Sequence, residues 1–337
     1  MDIKERLFKL SEADAAGCVK EASDLACKML SEYCETEKTD NLTIIGFLKG
    51  KADYTLMLDA HIDQISMVVT DIDQNGFLTV SAAGGIDVRS LPSRRVTIHG
   101  KEKGTGVFCS IPPHLAKDKK EIDDISEIKI DSCLKDKAKD VISVGDIVTF
   151  NSSPFELLGT KVAGRSFDDR AAVVCLIEVA KRLCKGELPF NVAFVLSDGE
   201  ELGMRGAGTA AFKVNPDEAI AVDVSFGDGL GISSEESGSL GKGGMIGVSP
   251  VLTPAVSRKL MSLAEEKGIP YQIEVMGSST GTDADKISIN REGVKTATLS
   301  IPLRNMHSEV EILDIKDLEY VTDLLCLYIL SGGVMNA

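Results

Sequence analysis

Hydrophobic and polar positions alternate in two textures along the chain. Near the N-terminus, residues 11–34 carry a helical stripe: Val19, Ala22, Leu25, Ala26, Met29 and Leu30 share one face. Strand-like runs follow, LTIIGFL and YTLMLDAHI. Past residue 68, short β-rich pieces alternate with glycine: GFLTVSAAGG, RRVTIHG, GTGVFCSI and GDIVTF. Turn signals at this spacing predict a small all-β barrel or sandwich. A charged stretch, HLAKDKKEIDDISE, interrupts it and reads as a surface helix or loop.

From about residue 163 the first texture returns. DDRAAVVCLIEVAKRLCKG predicts a helix, with Asp168 and Asp169 at its positive end and Lys181, Arg182 and Lys185 near Gly186 at the other. NVAFVLS and AIAVDVS are continuous apolar strands, of the kind buried in a parallel sheet covered on both faces. SRKLMSLAEEKG predicts a helix, ATLSIPL a strand and DIKDLEYVTDLLCLYIL a final amphipathic helix. Strands alternating with helices give an α/β layered domain. The expectation is an α/β domain of residues 1–67 and 163–337, with a β-rich domain inserted at 68–162.

Composition narrows the class. A chain of 337 residues exceeds one small core and fits two domains. A net charge of −15 weighs against nucleic-acid partners, which want a basic face. No apolar run reaches the ~18 residues of a membrane span. The N-terminal MDIKERLFKLSEADAAG is charged and amphipathic, without the apolar core of a signal peptide. The eight cysteines form no C-x-x-C pair and several sit among apolar neighbours, as expected of free thiols in a reducing cytoplasm.

Candidate chemistry gathers at strand ends. LSDGEELGMRG places Asp198, Glu200 and Glu201 within four positions after an apolar run. Desolvated carboxylates repel unless something cationic holds them. His61 follows YTLMLDA, His307 follows ATLSIPL, Asp223 ends AIAVDV, and Asp168 opens a helix. In open α/β sheets that edge is where ligands bind. Two histidines and several carboxylates suit a divalent metal, zinc first, with cobalt or manganese as alternatives. Their number suits two ions better than one. Of the adjacent glutamates, one can bind metal while the other serves as general base. Asp63, two residues past His61, can hold that imidazole from behind. Taken singly, each feature has a plainer reading: a satisfied polar residue, a solvated loop, a helix cap. His99 and His114 fall in the inserted region and read as structural. No G-x-x-x-x-G-K-[ST] loop and no G-x-S-x-G elbow is present.

Taken in order, LDAHIDQISMVV, RSFDDRAAVVCLIEVAKRL, LSDGEELGMRGA, AIAVDVS, GTDADKISINREGV and SIPLRNMHSEVEILD resemble the cytoplasmic dinuclear-metal aminopeptidases of the glutamyl and deblocking type. That family includes the tetrahedral aminopeptidases, and some members carry the label cellulase or endoglucanase. The likeness covers nearly the whole chain, including RRVTIHG and PPHL. It implies a central mixed sheet flanked by helices, as in metallo-exopeptidases, with an inserted small all-β barrel used for oligomer contacts. It implies that His61 and Asp223 bind one metal, Glu201 and His307 the other, and that Asp168 bridges them. Glu200 would be the general base toward a metal-bridged water, and Asp63 would orient His61. The implied activity is release of N-terminal residues from peptides with a free N-terminus, by a homo-oligomer between a dimer and a tetrahedral dodecamer. No nucleic acid or membrane is implicated.

The chain departs from the family's pattern at Gln64 and Ser66, where Glu and Gly are common, and at Asp285 and Lys286, where TDAGA is common. These departures bear on side-chain preference. A metal-dependent deacylase or carboxypeptidase on the same site is the alternative. A glycosidase needs two carboxylates about 5–9.5 Å apart across a sugar, and a chain with no tryptophan offers little for sugar stacking.

Overall fold

The structure is a computed structural model that describes residues 1–112, 114–115 and 124–335. Most of the charged stretch HLAKDKKEIDDISE, and Pro113 of PPHL, lie outside the described residues. An eight-stranded mixed sheet runs in the order Tyr271–Val275, Gly244–Val248, Lys295–Leu303, Glu218–Phe226, Ala52–His61, Phe190–Ser197, Ile44–Leu48, Glu35–Lys38. Its middle four strands are mutually parallel, whereas at one edge Ile44–Leu48 runs antiparallel to Phe190–Ser197, and Glu35–Lys38 antiparallel to Ile44–Leu48 in turn. At the other edge Gly244–Val248 runs antiparallel to Lys295–Leu303 and parallel to Tyr271–Val275. The apolar runs of the sequence are these strands, and both sheet faces are covered.

The helix Phe167–Leu183 is buried almost all round. A helix apolar on every side belongs inside a core, and this one packs on the sheet beneath Ile3–Glu12 and Ile315–Leu330. Arg205–Val214 covers the opposite face through Ala207, Ala210 and Ala211, against Met57 and Val195.

The N-terminal stripe is shorter than its pattern predicts. Ala15–Ala16 and Val19–Lys20 pair as a small hairpin, and the helix begins at Glu21 and ends at Leu30. Gly17, at φ +54°, makes the turn that an uninterrupted helix could not. Ile3–Glu12 forms a separate helix, started by a capping box between Asp2 and Glu5.

The glycine-punctuated pieces close into a six-stranded antiparallel barrel: Ile130–Asp131, Phe77–Ala83, Ser66–Ile72, Ile147–Phe150, Arg95–His99, Lys103–Phe108. Met67, Val69, Leu78, Val80, Val96, Ile98, Phe108 and Val148 fill a core of its own. Among the described residues no helix is long and apolar enough to cross a membrane.

Candidate active site

The four parallel strands of the sheet are neighbours, so their C-terminal ends share one edge. His61 is the last residue of Ala52–His61, and Asp223 lies near the end of Glu218–Phe226. Glu200 and Glu201 occupy the turn after Phe190–Ser197. His307 sits in the turn after Lys295–Leu303, at φ +61°. Asp168 stands in the first turn of the buried helix with a non-helical backbone. His61, Asp168, Glu200, Glu201, Asp223 and His307 therefore meet at one place.

Asp168 is at the centre. One carboxylate oxygen lies 3.0 Å from His61 Nε2 and the other 3.3 Å from His307 Nε2. His61 Nε2 is also 3.9 Å from Asp223 Oδ1, and His307 Nε2 is 3.3 Å from Glu201 Oε1. Two sets of potential ligand atoms, each within 4.8 Å of one another, result: His61, Asp169 and Asp223, and Asp168, Glu201 and His307. Among the described residues no lysine or arginine forms an ion pair with these carboxylates, and Asp169 Oδ2 is buried without a partner. Imidazole nitrogens and carboxylate oxygens that converge without a lysine or arginine among them suit divalent metal ions.

The electrostatics express the crowding. Burial pushes Asp223 and Asp169 well above the ordinary carboxylate range. Burial pushes Asp168 the same way, but the two imidazoles prevail and hold it well below that range. Burial opposes the charged form of His307, yet Asp168 and Glu201 push it up to about 11. Burial lifts Glu200 to about 7, against the pull of His61. A carboxylate near neutrality is suited to taking and returning a proton.

A supporting layer fixes these groups. Asp63 lies 3.5 Å from His61 Nδ1 and accepts the backbone N–H groups of Glu200 at 3.1 Å and Glu201 at 3.3 Å. One carboxylate thus ties the histidine strand to the glutamate turn. Glu311, which sequence reasoning missed, accepts the N–H groups of Phe167, Asp168 and His307 at 2.6, 3.1 and 3.0 Å. Asp59 and Asp283, also missed, share the Ser197 hydroxyl behind His61, at 3.4 and 2.6 Å. Asp59 was findable: two residues before His61 on one strand, it shares the same face. Glu311 carried no local signal, since its partners are backbone groups distant in sequence. The barrel reaches the site through Gly84 and Gly85. A Cβ on Gly85 would lie 2.7 Å from His307 Nδ1, and one on Gly84 would lie 3.1 Å from Glu201 Oε2.

Of the departures from the family pattern, Gln64 is buried and accepts from Arg170 Nη2 at 2.8 Å and Ala15 N at 3.2 Å. Ser66 is buried at the start of a barrel strand, and Lys286 is exposed. Asp285 instead shapes the site's rim: it accepts from Thr280 N at 2.9 Å, Thr280 Oγ1 at 2.8 Å and Ser279 Oγ at 2.5 Å. Thr280 and Gly281 line a cavity of about 220 Å³ that also contacts Glu200, Asp223 and His307. His99 sits in the barrel wall, 2.9 Å from Thr149 Oγ1, and His114 is exposed.

The profile of the M42 glutamyl aminopeptidase family matches residues 43–324. The lysyl aminopeptidase of Pyrococcus furiosus is 34% identical over 305 residues, covering 88% of this chain and 87% of that protein. An aminopeptidase from the archaeon Desulfurococcus kamchatkensis superposes with a TM-score of 0.91 at 31% identity, over 98% of this chain and 94% of that one. The TET1 peptidase of Pyrococcus horikoshii, described as able to assemble into a tetrahedron or a large octahedral shell, superposes with a TM-score of 0.87 at 30% identity, over 97% of this chain and 99% of that one. With the profile matched across most of its length, the chain belongs to the M42 glutamyl aminopeptidase family and is an enzyme that hydrolyses peptide bonds.

Proposed function

We propose that the chain is a dinuclear-metal aminopeptidase that releases the first residue of peptides with a free N-terminus. The observation that carries this reading is the Asp168 carboxylate spanning His61 and His307, with one oxygen toward each. His61 and Asp223 would hold one divalent ion, Glu201 and His307 the other, and Asp168 both; Asp169 stands close enough to His61 and Asp223 to join the first set. Zinc suits this donor set, and cobalt or manganese could replace it. Bound there, two such ions supply Lewis acidity and acidify a water.

The chain's own residues do the rest. Glu200, whose backbone N–H is held by Asp63, takes the proton of the attacking water and delivers it to the departing amine. Asp63 keeps the His61 ring oriented, as a carboxylate behind a ligating histidine does. Glu311 fixes the backbone that presents Asp168 and His307.

Residues 1–67 and 163–337 would form the catalytic domain and 68–162 an inserted domain for assembly. The barrel exposes Val107 and Val144, apolar positions that suit a contact between copies. The assemblies described for the similar TET1 peptidase favour a homo-oligomer here too. All eight cysteines are free thiols, which fits a cytoplasmic protein.

The test is hydrolysis of aminoacyl-p-nitroanilides by metal-reconstituted enzyme, beside a chelated control and Glu200→Gln. Turnover lost in both controls, with two metal equivalents per chain, supports the reading. Turnover of N-blocked peptides alone would mark a deacylase. A chain that binds no metal overturns the site.

A further inference from the structure

The cavity beside the site extends to a carboxylate that the reaction does not use. Glu274 lies on the edge strand Tyr271–Val275, where a side chain could turn to solvent. It reaches back over the sheet instead. Its oxygens accept from Ser225 Oγ and, at 2.8 Å, from Ser300 Oγ. These two serines stand on the adjacent parallel strands Glu218–Phe226 and Lys295–Leu303. Ser225, Glu274 and Ser300 line the same cavity as Asp223 and Glu200.

A carboxylate offers about four acceptor positions, and the two hydroxyls leave some of them open. Among the described residues no lysine, arginine or histidine forms an ion pair with Glu274. Burial raises its pKa and the serine hydroxyls oppose the rise, so a cation entering the cavity would favour the ionised form. Ser225 is two residues past Asp223 on one strand, which puts their side chains on the same face about 7 Å apart. The four-carbon stem of a lysine spans such a distance with its ammonium at the far end.

We propose that Glu274, held by Ser225 and Ser300, forms the end of the pocket for the first side chain of the substrate and selects lysine or arginine there. This rests on the aminopeptidase reading, and it names the substrate class of that site. An uncharged chain of the same length would leave the carboxylate buried without a cation.

The experiment compares metal-loaded wild type and Glu274→Gln on lysyl, arginyl, norleucyl and glutamyl p-nitroanilides. Wild type should favour the lysyl and arginyl substrates. In Glu274→Gln, which can still bond both serines, kcat/KM for them should fall about 10- to 100-fold, the loss of one charged hydrogen bond. The norleucyl rate should stay within about 2-fold. Equal loss on all four substrates would assign Glu274 to the α-amino group or to structure, and would overturn the proposal. So would a wild type that prefers norleucine. Calorimetric titration with free L-lysine and L-norleucine reads the pocket without turnover. If no p-nitroanilide is cleaved, the aminopeptidase reading fails. Tighter binding of lysine by wild type, lost in Glu274→Gln, would still establish the cationic pocket, and equal binding would overturn it. Unchanged melting temperatures establish that the variant is folded.

Discussion

At the scale of single residues, the neighbours Glu200 and Glu201 share one turn but meet different partners. Glu201 faces His307 at 3.3 Å, whereas Glu200 makes no ion pair with either imidazole among the described residues. Glu200→Gln should therefore lower kcat by about 10²- to 10⁴-fold while metal content, measured by mass spectrometry, stays that of wild type. Asp63→Ala should act the other way round. It frees the His61 ring and the backbone of the glutamate turn, and should weaken metal binding about 10- to 100-fold in a chelator competition. The meeting of His61, Asp168, Glu200, Glu201, Asp223 and His307 was legible because each follows an apolar strand or opens a helix, and sheet geometry carries such ends to one edge. Asp169, Glu311 and Asp283 were not. Their roles depend on contacts between segments far apart in sequence, and each alone reads as a cap or a turn residue.

At the scale of elements, the apolar strands and the long buried helix were legible from unbroken hydrophobicity, and the barrel from short runs between glycines. The N-terminal hairpin was not, because Val19 keeps the helical spacing although Gly17 has already turned the chain. That hairpin lies beside a joint. Asp14, nearly fully buried, accepts from Arg165 Nη1 at 2.5 Å and lies 3.5 Å from His99 and 3.4 Å from Lys103 of the barrel. Burial raises its pKa, but Arg165 prevails and holds it below the ordinary value. A group depressed in this way contributes fully above its unfolded pKa of about 3.9 and loses that contribution as pH falls through its folded pKa. Asp14→Ala should thus cost about 3–5 kcal/mol at pH 7, as for other buried pairs broken on one side. Urea titrations should show the gap from wild type narrowing below pH 4. A gap constant with pH would mean that packing, not the ion pair, is lost. Gly85→Ala tests the contact between barrel and sheet. Its methyl would displace His307, so kcat/KM should fall about 10-fold or more while the barrel itself stays folded by circular dichroism.

At the scale of the whole molecule, the side chains proposed to hold metal are drawn from five separate segments of the fold, and ions bound there would tie these segments together. Ions that bind the folded chain and not the unfolded one stabilise it by mass action, about 4 kcal/mol at a thousandfold excess over Kd. Chelation should therefore lower the melting temperature, and re-addition of zinc should restore it. A melting curve indifferent to chelator would argue that the site is held by protein contacts alone. Sedimentation should show a homo-oligomer, with polar substitutions at Val107 and Val144 shifting it toward smaller species. The spread of these segments also sets a schedule for biosynthesis. At roughly 5–20 residues per second, on the order of 10–50 s separate the synthesis of His61 from that of His307. During that interval the nascent chain carries His61 without His307, so a product that ends between them would lack part of the proposed metal site. On the proposed mechanism, metallation would wait for His307, and a chain truncated before it should be inert toward peptides.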